Sequence, residues 1–160
     1  MKISVIIPCH NEEKSIRACV ESCLSQTRPF DQILVVNDGS TDRSGEILKE
    51  FGDQIEIVTI EQATGNKSRA QEKGLELVTG DVFVATDGDT ILNTGFAAAM
   101  EKEFQDEKVV AVSGVVKSLP YNWLTAVRAF EYIVAHYFHK LAQSYLDYIF
   151  VISGAAGEFR

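Results

Sequence analysis

The chain has 160 residues, of which 46% are hydrophobic and 24% charged, and its formal net charge is −8. That length suits one domain, residues 1–160, with a sizeable core, and the composition is that of an ordinary globular protein. The negative balance speaks against nucleic acid, which is held through its phosphate backbone by a basic surface, but it leaves room for a small phosphorylated ligand whose charge a metal neutralises locally.

In chain order, residues 3–7 form an apolar run, Ile-Ser-Val-Ile-Ile, which reads as a strand closed by Pro8. The run is too short for a signal peptide, and no stretch approaches the ~20 apolar residues of a spanning helix. Asn11 is a candidate cap for a helix on which Ile16, Cys19, Val20, Cys23 and Leu24 share one apolar face. The three cysteines, Cys9, Cys19 and Cys23, read as buried thiols of a reduced, cytoplasmic domain. With His10 they match none of the usual zinc spacings. A second apolar strand, residues 33–36, precedes the turn Asn37-Asp38-Gly39-Ser40 and a helix near 42–51. Residues 55–60 read as a third strand, 66–78 as a helix with Ala70, Gly74 and Val78 on one side, and 82–86 as a fourth strand. A helix near 94–104 turns Phe96, Ala99, Met100 and Phe104 inward, and 109–116 supplies a fifth strand.

Continuous apolar strands point to a sheet buried on both faces, and their alternation with helices points to a parallel, doubly wound α/β arrangement. Ligands of such sheets bind outside the carboxyl ends of the strands. The polar segments 8–12, 37–40 and 87–89 each follow a strand, so a parallel sheet brings all three to one edge. Within the last of them, Asp87 and Asp89 stand one residue apart. Paired carboxylates of this kind suit Mg²⁺ or Mn²⁺ and leave coordination positions that a diphosphate can fill; the same pattern also occurs in ordinary turns.

Residues 121–150 differ from the rest in carrying all five tyrosines, the single tryptophan and two of the three histidines. Phe130, Val134, Tyr137, Phe138, Leu141 and Tyr145 follow helical spacing. Two readings stand: an amphipathic helix packed on the sheet, or a surface for a membrane interface or for transmembrane helices outside this chain. His136 and His139 have no third ligand candidate nearby, which speaks against a metal there.

Three motifs together, Ser4-Val5-Ile6-Ile7-Pro8-Cys9-His10-Asn11-Glu12, Val35-Val36-Asn37-Asp38-Gly39-Ser40-Thr41-Asp42 and Asp87-Gly88-Asp89, closely resemble the family 2 glycosyltransferases of GT-A fold. Glu131-Tyr132, Ala142-Gln143-Ser144 and the segment 152–160 are similar to processive β-glycan synthases such as those of chitin, hyaluronan and poly-N-acetylglucosamine. The resemblance implies a mostly parallel, Rossmann-like GT-A sheet flanked by helices and incomplete at its C-terminal end. It implies a UDP-sugar donor, UDP-N-acetylglucosamine first, and a glycan or lipid-linked acceptor. Asp38 would meet the uracil, Pro8, His10 and Glu12 would line the nucleoside pocket, and Lys67 and Arg69 would lie near the diphosphate. Asp87 and Asp89 would hold the Mg²⁺ or Mn²⁺ that neutralises the departing UDP.

Inverting transfer also needs a carboxylate base. In the family this is an Asp of a Glu-Asp pair, followed later by a Gln-x-x-Arg-Trp motif, and neither occurs in this sequence. The base is therefore expected beyond Arg160, with Glu158, where a small residue is expected, as the first substitute. The resemblance thus implies a donor-binding part at the cytoplasmic face of a membrane; the alternative is a non-catalytic nucleotide-sugar-binding module or inactive fragment. A nucleotidyltransferase would carry a Gly-rich phosphate loop near the N-terminus, and residues 8–12 contain no glycine.

Overall fold

The computed structural model describes residues 1–118, 122–146, 152 and 155–160. Residues 119–121, 147–151, Ser153 and Gly154 lie outside the described residues, and with them both ends of the aromatic segment. Six strands form one sheet in the order β3-β2-β1-β4-β6-β5. Strands β1 (Ile3–Cys9), β2 (Gln32–Asp38), β3 (Glu56–Ile60) and β4 (Val82–Thr86) are mutually parallel. All seven residues of β1 and of β2 are buried, as expected for central strands covered by helices on both faces. On one face the core gathers Ile3, Val5, Ile7, Val35 and Val84 under α1 (Ile16–Leu24) and α2 (Ser44–Lys49). On the other, Ile6 and Val36 meet Ala70 of α3 (Lys67–Leu75). Gly74 is what lets α3 lie this low: a Cβ there would stand 2.6 Å from Ile6 Cγ2 and 3.2 Å from Val36 Cγ2. That close seating carries the first turn of α3 over the ends of β1 and β2.

Several sequence expectations shift. β1 runs through Pro8 to Cys9. Pro8 pairs with Val36 but lies beyond the last β1–β4 pair at Ile6, where the ladder on that side has ended. Asn11 is no helix cap: its φ of 56° is left-handed, and Ser15 precedes α1 instead. In α4 (Phe96–Glu103) Ala97, not Ala99, turns inward with Met100, and Phe104 follows them into the core. The fifth strand, β5, shrinks to Ala111–Ser113, because its ladder is set by a partner unseen in the sequence pattern. That partner is β6 (Ala156–Phe159), antiparallel to both β4 and β5 and inserted between them.

The aromatic segment is helical but broken. α5 (Trp123–Val134) opens on a capping box made by Asn122 and Thr125, passes through a π-helical turn at Ala135–Lys140, and continues as α6 (Leu141–Ser144). Lys140 Nζ donates to Ser113 Oγ at 2.7 Å, which ties the turn to β5. The stripe is largely exposed, against the first of the two readings, a helix packed on the sheet: Phe130 is 65% accessible, Phe138 68% and Tyr145 91%. Among the described residues of this segment only His136 is buried.

Candidate functional site

The loops that follow β1, β2 and β4 meet at the carboxyl edge of the sheet. The first two are stitched together by side chains. His10 Nδ1 donates to the Asp38 carbonyl at 2.6 Å, which leaves Nε2 to accept from Asn11 Nδ2 at 3.2 Å. Asn11 Oδ1 accepts the Thr41 N–H at 2.8 Å, a bond its left-handed backbone makes possible. The Glu12 N–H donates to Ser44 Oγ at 2.8 Å, and the Glu12 carboxylate accepts from Ser15 Oγ at 2.6 Å.

Asp38 is buried, and both carboxylate oxygens are engaged. Oδ1 accepts the Thr64 N–H at 2.8 Å and Oδ2 the Thr64 hydroxyl at 2.7 Å. The β3–α3 loop is thereby pinned to the end of β2. Gly39 makes the approach possible: its φ is +60°, and a Cβ on it would lie 2.3 Å from the Ala63 nitrogen. Gly39→Ala combines a left-handed strain of ~1–2 kcal/mol with a backbone collision, so it is expected to destabilise the fold by roughly 3 kcal/mol or more in urea unfolding. A loss under ~1 kcal/mol would show that the turn relaxes freely.

Behind β4 the chain turns tightly, the Thr90 N–H donating to the Asp87 carbonyl at 3.0 Å. The same carbonyl accepts from Cys19 Sγ at 3.3 Å, so α1 holds the turn from below. Gly88 is buried in this turn, and a Cβ on it would approach Pro8 O and Glu12 Cγ to 3.3 Å. The Asp87 carboxylate, partly exposed, pairs with the Lys67 ammonium, and Asp89 is exposed. Burial pushes the Cys9 thiol up to about 11, against hydrogen bonds from Ser44 and Ser40. The Cys19 thiol is raised by its hydrogen bond with Cys23 and then by burial. Both directions favour the protonated thiol at neutral pH, which speaks against a nucleophilic role.

Pro8, Cys9, His10, Glu12, Asp38, Lys67, Asp87, Gly88 and Asp89 thus share one cavity of about 350 Å³, closed on the α3 side by Gly65, Asn66 and Ala70. Of the eight residues expected from sequence, seven line it. Arg69 does not: it is exposed on α3 and outside the cavity lining. Sequence reasoning missed Thr64 and Asn66. The available signal was that Asn66, whose side chain accepts the Ser68 N–H at 2.9 Å, is a favoured helix-capping residue directly before Lys67. Glu158 is fully buried, pairs in register with Val84 and does not line the cavity.

A polar cavity at the carboxyl ends of parallel strands, between β1 and β4 where strand order reverses, places the protein in the class of open α/β ligand-binding folds. The chain belongs to glycosyl transferase family 2, whose profile is matched by residues 4–159. It is 30% identical over 169 aligned residues to the hyaluronan synthase of Streptococcus pyogenes, a match covering 99% of this chain and 40% of that one. The mannosyltransferase PcManGT of Pyrobaculum calidifontis, solved with GDP-Man and Mn²⁺, superposes with a TM-score of 0.76 at 23% identity, over 99% of this chain and 44% of its own. S. aureus TarS in complex with UDP-GlcNAc superposes with a TM-score of 0.66 at 23% identity, over 76% of this chain and 39% of its own. These likenesses show the GT-A fold. The chain spans between 20% and 40% of the length of the curated relatives it matches.

Proposed function

We propose that this domain binds the UDP-sugar donor of an inverting glycosyl transfer, with UDP-N-acetylglucosamine the first candidate, and passes the sugar to a growing glycan or a lipid-linked acceptor. The observation that carries the reading is the gathering of Asp38, Lys67, Asp87 and Asp89 on one cavity at the switch point of the sheet. Asp38, at the β2 end, has acceptor capacity left for one nucleobase N–H, since each of its oxygens takes a single bond from Thr64. The first turn of α3, capped by Asn66, presents a helix N-terminus and an ammonium where a diphosphate would lie.

The donor set also fits a divalent cation. Asp87 and Asp89 are oxygen ligands on the cavity wall, and Asp87 already attracts a cation, the Lys67 ammonium. Among the described residues no third carboxylate, histidine or cysteine joins them. That set suits Mg²⁺ or Mn²⁺, which commonly use one or two carboxylates and complete their shell with phosphate oxygens and water. The ion's contribution would be to neutralise charge on the departing UDP. Glu158 is no candidate for the base, because its carboxyl is sealed from any acceptor. The exposed aromatic helix would suit a membrane surface, and the proposed placement of the domain is at its cytoplasmic face; among the described residues no helix is long and apolar enough to cross a membrane.

Thermal shift with UDP tests the reading. A ligand that binds only the native state at 100 times its Kd adds ~2.7 kcal/mol of stability, so UDP with Mn²⁺ is expected to raise Tm clearly. The rise should shrink in EDTA. Equal responses in Mn²⁺ and EDTA would overturn the metal-bridged site, and no response in either would overturn the nucleotide.

A further inference from the structure

The cavity carries four carboxylates, those of Glu12, Asp38, Asp87 and Asp89, and Lys67 is the only lysine or arginine lining it among the described residues. Such a site repels a diphosphate until more positive charge arrives. Yet the carboxylate best placed to hold a divalent ion, Asp87, is already occupied by that one ammonium. The two sides of this ion pair differ in freedom. The Asp87 backbone is fixed by the Cys19 thiol and the Thr90 N–H. Lys67 reaches over on a four-carbon stem from the first turn of α3, with its side chain 48% exposed. A compact ammonium on a flexible stem can change partners without moving the helix, and an exposed ion pair is cheap to break.

We infer that Lys67 is the counter-cation of Asp87 while the cavity lacks nucleotide, and that it couples metal binding to nucleotide binding by moving its charge from Asp87 to the diphosphate. This rests on the cavity being a metal–diphosphate site. With Lys67 on Asp87, a divalent ion meets a competitor and binds weakly alone. A diphosphate draws the ammonium away and supplies the ion's missing oxygen ligands. Each ligand then raises the affinity for the other by the same factor, as linkage requires. Lys67 is in this sense a positioning residue, and the site loads metal and nucleotide together rather than storing the metal.

The test is a Mn²⁺ titration followed by the paramagnetic resonance of the free ion, with and without UDP, on the wild type, Lys67→Met and Lys67→Arg. All three should melt within a few degrees of one another, since the pair is exposed. In Lys67→Met, Mn²⁺ alone should bind roughly 2–5-fold more tightly, the competitor being gone. The factor by which UDP tightens Mn²⁺ should fall by roughly 10-fold or more, since a charge-assisted contact to phosphate is lost. Lys67→Arg should restore the wild-type pattern on both counts. If Lys67→Met binds Mn²⁺ alone no better than the wild type, or keeps the full UDP effect, the coupling role is overturned while the metal site stands. If the wild type binds no Mn²⁺ even with UDP, the metal–diphosphate reading falls and takes this inference with it.

Discussion

Replacing Glu158 with glutamine will abolish most of the stability this protein loses between mildly acidic and mildly alkaline pH. Glu158 is 0% exposed, and neither carboxylate oxygen has a hydrogen-bond partner among the described residues. Its register partners are Val84 on β4 and Val112 on β5, and directly opposed residues of an antiparallel ladder share a face. Burial pushes its carboxyl from the ordinary 4.5 up to about 8. The folded protein therefore keeps a proton that the unfolded chain releases. The contribution of Glu158 to stability is fully present below pH 4.5, falls as pH rises through that window, and levels off above about 8. Each pH unit in the window costs ~1.4 kcal/mol, so the full crossing costs on the order of 5 kcal/mol. That is a large part of the margin on which a domain of this size stands. Urea unfolding across this range should show, in the difference between the two proteins, a downward slope in the wild type that Glu158→Gln lacks; the rise with pH contributed by buried His136 is common to both and cancels in that difference. Parallel profiles would mean that Glu158 is ionised in the fold and has found a partner.

The second large effect separates the two ends of the cavity. Asp89→Ala should leave folding stability within ~0.5 kcal/mol, since this exposed carboxylate makes no hydrogen bond or ion pair among the described residues. It should nevertheless weaken UDP binding in Mn²⁺ by roughly 100-fold, the upper end of what losing even an outer partner of a metal ligand costs. In EDTA it should not weaken UDP binding, and the loss of one negative charge from the cavity should if anything tighten it slightly. Asp38→Ala should weaken UDP with and without metal, and it should also destabilise the fold by ~1–3 kcal/mol, because the Thr64 N–H loses its acceptor and the Thr64 hydroxyl keeps only the Asn66 carbonyl. Calorimetry in the two buffers distinguishes them. Identical losses from the two variants would erase the division between base pocket and metal site.

What the sequence made legible was whatever long-range order writes locally. The apolar runs of β1, β2 and β4 are continuous because both faces of the sheet are covered, and that alone implies parallel strands and a shared carboxyl edge. From there the convergence of His10, Asp38 and Asp87 follows from topology, before any coordinate. β6 was invisible for the converse reason. Ala-Gly-Glu-Phe has neither alternation nor β-branched residues, and it is a strand only because β4 and β5 offer it two ladders. Thr64 was missed because its role depends on the loop folding back over Gly39, which no local pattern records. The aromatic helix was found as a helix, but its exposed stripe shows that periodicity reports a face without saying what covers it.

The insertion of β6 also makes the site depend on a pairing made far along the chain. Strands β1 to β4 are complete by Thr86, but the outer edge of β4 stays bare until residues 156–159 dock against it. Until then the nascent sheet presents an unsatisfied edge of the kind that invites wrong partners, and closing it requires one of the most distant pairings in the fold, the slow kind. The Asp87–Asp89 turn hangs from that same strand. The strand that carries the two carboxylates is therefore held from both sides, by β1 on one edge and by the distant β6 on the other.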